Sequence, residues 1–239
     1  YPLRRQRQMC IRDRPPFAGR RILRAYRANL SVAAAETIGG SYTSAPIPLA
    51  QGILGATASG QATSADKFFR IALFAVTVLS NTLQKWVLEV SYAHGRLRRH
   101  FVAFGLHAAL ALIGGAALTV LGPVFSSLLF GEKATPEIAV FLGFGATFAL
   151  TSLTTPFIRN VLVPAGLNRY VLFGTLGAAL VGVPLMVFGA QWGLSGIIAG
   201  LAASELVILA VVVTAGTHHL LLERRSAFAL VAPAEGDIA

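Results

Sequence analysis

From about Asn29 to Thr217 the chain is almost continuously apolar, and its basic residues gather at alternate breaks in that apolar run. No other feature restricts the fold as strongly. In hydrocarbon every backbone amide must be satisfied within the protein, which leaves helices and closed barrels as the spanning structures. A core about 30 Å thick, at about 1.5 Å of rise per residue, needs roughly 20 apolar residues per helix, so the stretch holds about six crossings. Composition agrees, with 55% hydrophobic and 13% charged residues against roughly 25% charged in a soluble domain. The expected fold class is therefore all-α, a polytopic membrane bundle of about six transmembrane helices.

The spans are expected near 29–54, 66–90, 101–122, 137–160, 170–189 and 194–216. Turn-forming residues punctuate them at Ser59-Gly60-Gln61, His94-Gly95-Arg96, Gly131-Glu132-Lys133, Pro164-Ala165-Gly166 and Gln191-Trp192-Gly193. The chain then divides into residues 1–14, a basic segment 15–28, a six-helix lobe 29–217 and a tail 218–239.

Residues 1–14 differ in kind. They are Arg-dense, lack an amphipathic period, and are followed by no apolar signal-peptide core. The run Gln8-Met9-Cys10-Ile11-Arg12-Asp13-Arg14 resembles the translation of a transposase adapter used in sequencing libraries, in which ATG-TGT-ATA-AGA-GAC-AG reads Met-Cys-Ile-Arg-Asp and then Arg or Ser. On that reading the native chain begins near Pro15 and lacks its own beginning; the alternative is a basic cytosolic tail. Setting these residues aside removes five arginines and one aspartate and takes the net charge from +10 to +6. It removes the best support for nucleic-acid binding, which needs a clustered basic face. It also removes Cys10, the only cysteine, so no disulfide, thiol nucleophile or cysteine metal site remains.

Short loops rich in Lys and Arg stay in the cytoplasm. Arg20, Arg21, Arg24 and Arg27 precede the first span; Arg96, Arg98 and Arg99 follow the second; Arg159 and Arg169 bracket the loop after the fourth; Arg224 and Arg225 follow the sixth. All fall on one side. The other side carries Lys67 and Lys133 beside Asp66, Glu132 and Glu137, so both ends of the lobe are expected in the cytoplasm. The tail's His218-His219 pair is not a metal site by pattern, since adjacent helical residues diverge and no third ligand is near.

Ionisable groups at membrane depth cost several kcal/mol unless they face protein or water, so each is a functional candidate. Lys85 and Glu89, four apart near the end of the second span, read as an interfacial pair. Arg159 can snorkel from the end of the fourth span. His107 can hydrogen-bond a neighbouring helix, and Glu205 can either capture donors between helices or act functionally. Asp66 sits at the outer mouth of the second span, with Arg70 one turn inside on the same face, where the two can pair or share a substrate. Glu36 lies about two turns into the first span. Arg70, Arg159, Asp66 and Glu36 are the candidate substrate-binding residues.

The first span also contains Gly39-Gly40 and Pro46-Ile47-Pro48. Two prolines remove donors from one turn, which makes either a discontinuous helix lining a cavity, as in transporters, or a packed proline kink. Gly196-Ile197-Ile198-Ala199-Gly200 is a GxxxG that lets helix backbones approach. No Walker loop, GxSxG, HExxH or facing carboxylate pair occurs, so neither an ATP-driven motor nor an enzyme is expected, and no cofactor or metal is implied.

The stretch from Leu118 to Gly200 carries Leu128-Leu129-Phe130-Gly131 closing a span, Leu162-Val163-Pro164-Ala165-Gly166 before a basic loop, Val181-Gly182-Val183-Pro184 within the fifth span, and Trp192-Gly193-Leu194-Ser195-Gly196 opening the sixth. Upstream stands Ala65-Asp66-Lys67-Phe68-Phe69-Arg70. In order and spacing these pieces, over about residues 20–216, resemble the C-terminal half of the O-antigen-type polysaccharide-biosynthesis flippases of the multidrug/oligosaccharidyl-lipid/polysaccharide exporter superfamily. The resemblance implies one lobe of a two-lobed transporter around a central cavity, with the N-terminal lobe absent from this chain. Such proteins move undecaprenyl-diphosphate-linked oligosaccharide across the bacterial cytoplasmic membrane by alternating access. A cationic cavity receives the diphosphate, a role that Arg70, and next Arg159, is placed to fill. The implied partners are the lipid-linked oligosaccharide, membrane lipids and the other lobe, with no nucleic acid. The alternatives are a cation-coupled drug exporter, for which Glu36, Asp66 and Glu205 would serve, a lipid II flippase, and a membrane enzyme of polysaccharide assembly.

Overall fold

A computed structural model describes residues 19–89 and 93–231, with side chains at 30–89 and 95–222. The adapter-like residues 1–14, the start of the basic segment and the tail beyond residue 231 lie outside the described residues, as do the side chains of Arg20, Arg21, Arg24, Arg27, Arg224 and Arg225. Among the described residues the chain is helical and contains no strand. The elements are α1 (Gly19–Ser44), α2 (Pro46–Leu49), a π-helical turn Ala50–Leu54, α3 (Ala56–Leu88), α4 (Ala93–Phe130), a 3-10 turn Glu132–Ala134, α5 (Ile138–Pro156), a π segment Phe157–Leu162, α6 (Asn168–Gly189), a 3-10 turn Ala190–Trp192 and α7 (Leu194–Val231).

Five helices are long and apolar enough to cross a membrane: Ala56–Leu88, Gly95–Phe130, Ile138–Leu162, Asn168–Trp192 and Leu194–Leu222. Their surface is inverted relative to a water-soluble fold. Ile71, Phe74, Leu112, Ile113, Leu128 and Leu180 are exposed, while His107, Ser152, Thr147, Asn160 and Glu205 are buried. A contiguous apolar exterior of this extent has a stable environment only in lipid. The chain is thus a polytopic membrane helix bundle.

The expected first span departs from the other five. Residues 39–44, Gly-Gly-Ser-Tyr-Thr-Ser, are too small and polar for it to qualify as an apolar spanning helix. It still runs the same distance: Gly39 lies against Thr175 near the start of α6, and the Ala50–Leu54 turn lies against the Ala190–Trp192 turn beyond α6's end. A segment that lipid alone would not hold is held by protein. The prolines kink this segment without opening it. Ala45 stays in the right-handed helical region, and Pro46 and Pro48 occupy the first turn of α2, where few donors are required.

Three breaks fall where expected, at Gly131, Gly166 and Gly193, each with positive φ, a region that Gly enters without steric cost. Two differ. Helix α3 runs straight through Ser59-Gly60-Gln61 and begins after Gly55, whose φ of 92° makes the turn. His94-Gly95-Arg96 belongs to the first turn of α4. Gly60 faces open space, where a helix tolerates glycine at about 1 kcal/mol.

Between α6 and α7 the backbones touch. A Cβ at Gly196 would fall on the Gly189 carbonyl, and one at Gly200 would lie 2.6 Å from the Met186 nitrogen. Apolar burial gives little net drive between helices in lipid, so close backbone packing supplies much of the association. Gly196→Val should therefore lower the thermal midpoint of the purified protein by several degrees through overpacking of about 1–3 kcal/mol. Gly60→Ala should raise it slightly, since it removes a helix-interior glycine from open space. Equal midpoints for the two variants would contradict this packing.

Candidate functional site

Helix α3 carries a row of polar residues that is interrupted by the exposed Phe74. Thr63, Asp66, Arg70, Thr77, Asn81 and Gln84 recur at spacings of three, four and seven, which at 3.6 residues per turn confines them to a narrow stripe. The exposed apolar residues Ile71 and Val78 lie roughly a quarter turn away, towards lipid. Helix α1 has a similar division. Ala35 and Tyr42 are buried towards the bundle, while Glu36, Thr37, Gly40, Ser41 and Ser44 are exposed.

The two stripes meet at Arg70. Its Nε donates to Asp66 Oδ2 at 2.5 Å, and its Nη2 donates to Ser44 Oγ at 3.3 Å. Asp66 is largely buried, while the Arg70 side chain is 48% exposed. Asp66 does not stand at a helix start as expected, because α3 begins ten residues earlier; it lies inside the helix, two residues beyond Ser64, whose Oγ donates to the Ala134 carbonyl at 2.6 Å. Arg70 is about 21 Å along α3 from Ala56 by helical rise, near the middle of that helix of 33 residues. From Ser64, which meets the Glu132–Ala134 turn, it lies six residues, about 9 Å, farther along the helix.

Arg159 takes the other end of the stripe. Its Nη1 donates to Asn81 Oδ1 at 2.8 Å, and its backbone carbonyl accepts from Gln84 Nε2 at 3.3 Å. It thus snorkels along α3 to a partner. Arg70 and Asn81 are eleven residues apart, about 16 Å along one helix face, so the two arginines bracket one groove without sharing a single contact. Glu36 is exposed on α1 about 12 Å along the helix from Ser44. It joins neither arginine, and Asp66 and Arg70 are the only mutual pair of the four candidates among the described residues.

The groove arises because α1 packs along α6 and meets α3 only near their connecting turn and at Ser44. Thr151 and Thr155 of α5 are both half-buried, and Thr151 shares Glu205 with Tyr42 of α1. The hydroxyls of Thr37, Ser41 and Thr77 donate to carbonyls four residues earlier at 2.8, 2.8 and 3.1 Å, so they sit near apolar surroundings at little cost. Glu36 and Arg70 cannot satisfy themselves in that way, and their exposure requires water or a polar partner.

No known family model, curated protein or solved structure matches the chain. The site's chemistry therefore rests on its own residues.

Glu205 has the structural role open to it in the sequence. It is 5% exposed, its Oε1 accepts from the Tyr42 hydroxyl at 2.7 Å, and its Oε2 accepts from Thr151 Oγ1 at 3.2 Å. One carboxyl group thereby joins α1, α5 and α7. His107 likewise links α4 to α5, its backbone carbonyl accepting from Ser152 Oγ at 2.9 Å. Lys85 and Glu89 form the expected exposed pair at 3.9 Å. No group of three metal-ligating side chains occurs among the described residues, His218 and His219 included. The sequence did not single out Ser44, Asn81, Tyr42 or Thr151. The periodic stripe could have pointed to Asn81, but the others depend on which helices become neighbours.

Two measurements test this arrangement. After Cys10→Ser, a water-soluble maleimide should label Ser44→Cys and Thr77→Cys at least about tenfold faster than Val78→Cys, because thiolate forms only where water reaches; equal rates would mean no hydrated groove. Tyr42→Phe should destabilise the protein by about 1–3 kcal/mol by leaving the buried Glu205 Oε1 without its donor. Combining it with Glu205→Met should recover much of that loss, as read from thermal unfolding in detergent.

Proposed function

We propose that this bundle is one lobe of a two-lobed transporter, and that the groove between α1 and α3 receives the anionic head group of a lipid-linked oligosaccharide. The observation that carries the reading is Arg70: a guanidinium half exposed near the middle of a spanning helix, steered by Asp66 and Ser44. A cation kept in water at that depth has a use for its charge. Guanidinium suits phosphate, offering several donors in a planar fork. Arg159, held by Asn81 farther along the same face, is a second contact for a group moving down the groove.

The residue pattern supports the rest. The arginine-rich end, with Arg96, Arg98, Arg99 and Arg169, belongs on the cytoplasmic side of a bacterial inner membrane. Trp86 at that end and Trp192 at the other occupy the two interfaces, where indole rings settle. The face that carries Arg70 is turned towards a second lobe, and alternating access is the rocking of the two lobes about the shared cavity. The substrate is undecaprenyl-diphosphate-linked sugar, and the protein carries it rather than transforming it.

Export of lipid-linked sugar in a flippase-deficient strain, complemented by the full-length gene, tests this. Arg70→Ala should lower export at least about tenfold, the cost of one charge-assisted contact of about 1.5–3 kcal/mol, and Arg70→Lys should retain part of it. Normal export in the Ala variant would remove Arg70 from the site. A cation-coupled drug exporter is favoured by one observation, the exposed Glu36 on α1. Drug resistance lost in Glu36→Gln and kept in Arg70→Ala would establish that reading instead.

A further inference from the structure

Away from the groove, at the arginine-rich end, a half-open pocket of about 160 Å³ lies between the start of α4, the Phe157–Leu162 π segment and α7. Its polar lining is Arg96, His100, Asn160 and His219, and its apolar lining includes Leu88 and Pro164. The volume is several times the ~30 Å³ that a water occupies in the liquid. Asn160 is 2% exposed, yet neither its Nδ2 nor its Oδ1 has a hydrogen-bond partner. A buried side-chain amide with both ends unmet is destabilising, and a ligand would relieve that cost.

The local backbone explains why Asn160 points inward. Pro156 has no N–H to give to the preceding turn, and the helix widens into a π segment immediately after it. Arg159 reaches Asn81 on α3, and Asn160, roughly a quarter turn farther round the helix, is buried.

His219 lines a second feature as well, a groove of about 770 Å³ between α6 and α7. Its wall is chiefly apolar, with Tyr170, Val211, Ala215 and Leu222, and it carries Arg169 at its end. No acidic side chain lines either space among the described residues. A small cationic pocket sharing one wall with a long apolar groove, at a membrane boundary, has the shape of an amphiphile.

We propose that the two together bind a phosphodiester lipid with a hydroxylated head group. The phosphate occupies the pocket beside Arg96 and His219, accepting from Asn160 Nδ2, and the head-group hydroxyl donates to Asn160 Oδ1. One chain lies along the α6–α7 groove. This goes beyond the transport reading and does not depend on it, because the site shares no residue with the α1–α3 groove and Arg70 retains its role whatever occupies it.

Native mass spectrometry of the purified chain with added phosphatidylglycerol, phosphatidylcholine of the same chains, or glycerol phosphate tests the proposal. Phosphatidylglycerol should be retained about tenfold over phosphatidylcholine, whose quaternary ammonium meets Arg96 and Arg169 and offers Asn160 Oδ1 no donor. Glycerol phosphate should compete poorly, lacking the chain. Asn160→Leu should cut retention about tenfold while raising the thermal midpoint of the lipid-free protein, a pairing of signs that misfolding cannot produce. Arg96→Gln with His219→Gln should also cut retention about tenfold. Equal retention of the two lipids, unchanged retention in Asn160→Leu, or glycerol phosphate competing as well as the lipid would each overturn the proposal; the last would identify a soluble phosphate as the ligand.

Discussion

The first segment of this bundle is too polar for lipid to hold, and what fixes it is the carboxyl group of Glu205. Tyr42 donates to one of its oxygens and Thr151 to the other, so helices distant in sequence share one buried junction. In lipid, an apolar side chain gains little by leaving acyl chains for another helix. Directional polar contacts and close backbone packing therefore carry weight that hydrophobic burial carries in water. The glycine contacts clamp α6 to α7, and the Glu205 junction hangs α1 on that pair. Were α1 free, its polar stripe would face acyl chains and the groove would have only one wall.

That dependence sets how the groove is built. α1 lies against α6 on one side and leaves its other side, from Glu36 to Ser44, uncovered. α3 is held instead by α4 and α5, through Ser64 at one end and Arg159 at the other. Two helices anchored to different neighbours, meeting only near Gly55 and at the Arg70–Ser44 contact, enclose a wedge. α1 meets α3 at few points but is fixed to α6 by packing and to α7 by the Tyr42–Glu205 bond.

Much of this was legible from the chain. The inverted pattern of apolar runs and basic breaks fixes a helical membrane bundle, since hydrocarbon admits few alternatives. Gly131, Gly166 and Gly193 marked real turns because each needs a positive φ. Gly60 misled, because a glycine on an open helix surface has the same letter as one at a turn; Gly55, with no polar cluster around it, made the break. The Asp66–Arg70 pair followed from i,i+4 spacing on one helix. Arg159 with Asn81 and Tyr42 with Glu205 did not, since those pairs are separated by 78 and 163 residues. Local periodicity gives the face of a helix, whereas the neighbour that the face meets is set by packing across the whole bundle.

Prolines show the same division between local rule and context. Pro123, Pro156 and Pro184 all lie within helices, yet only Pro156 is followed by a π segment. After Pro184 come Leu185 and Val187, exposed and apolar and at ease in either register, and after Pro123 the ordinary register already carries Ser126 to Ser64. After Pro156 come Arg159 and Asn160, two polar groups at membrane depth, and a π turn satisfies the backbone while rotating one towards Asn81 and the other into the bundle. The missing proline donor loosens the register; the need to keep polar side chains out of lipid chooses the new one.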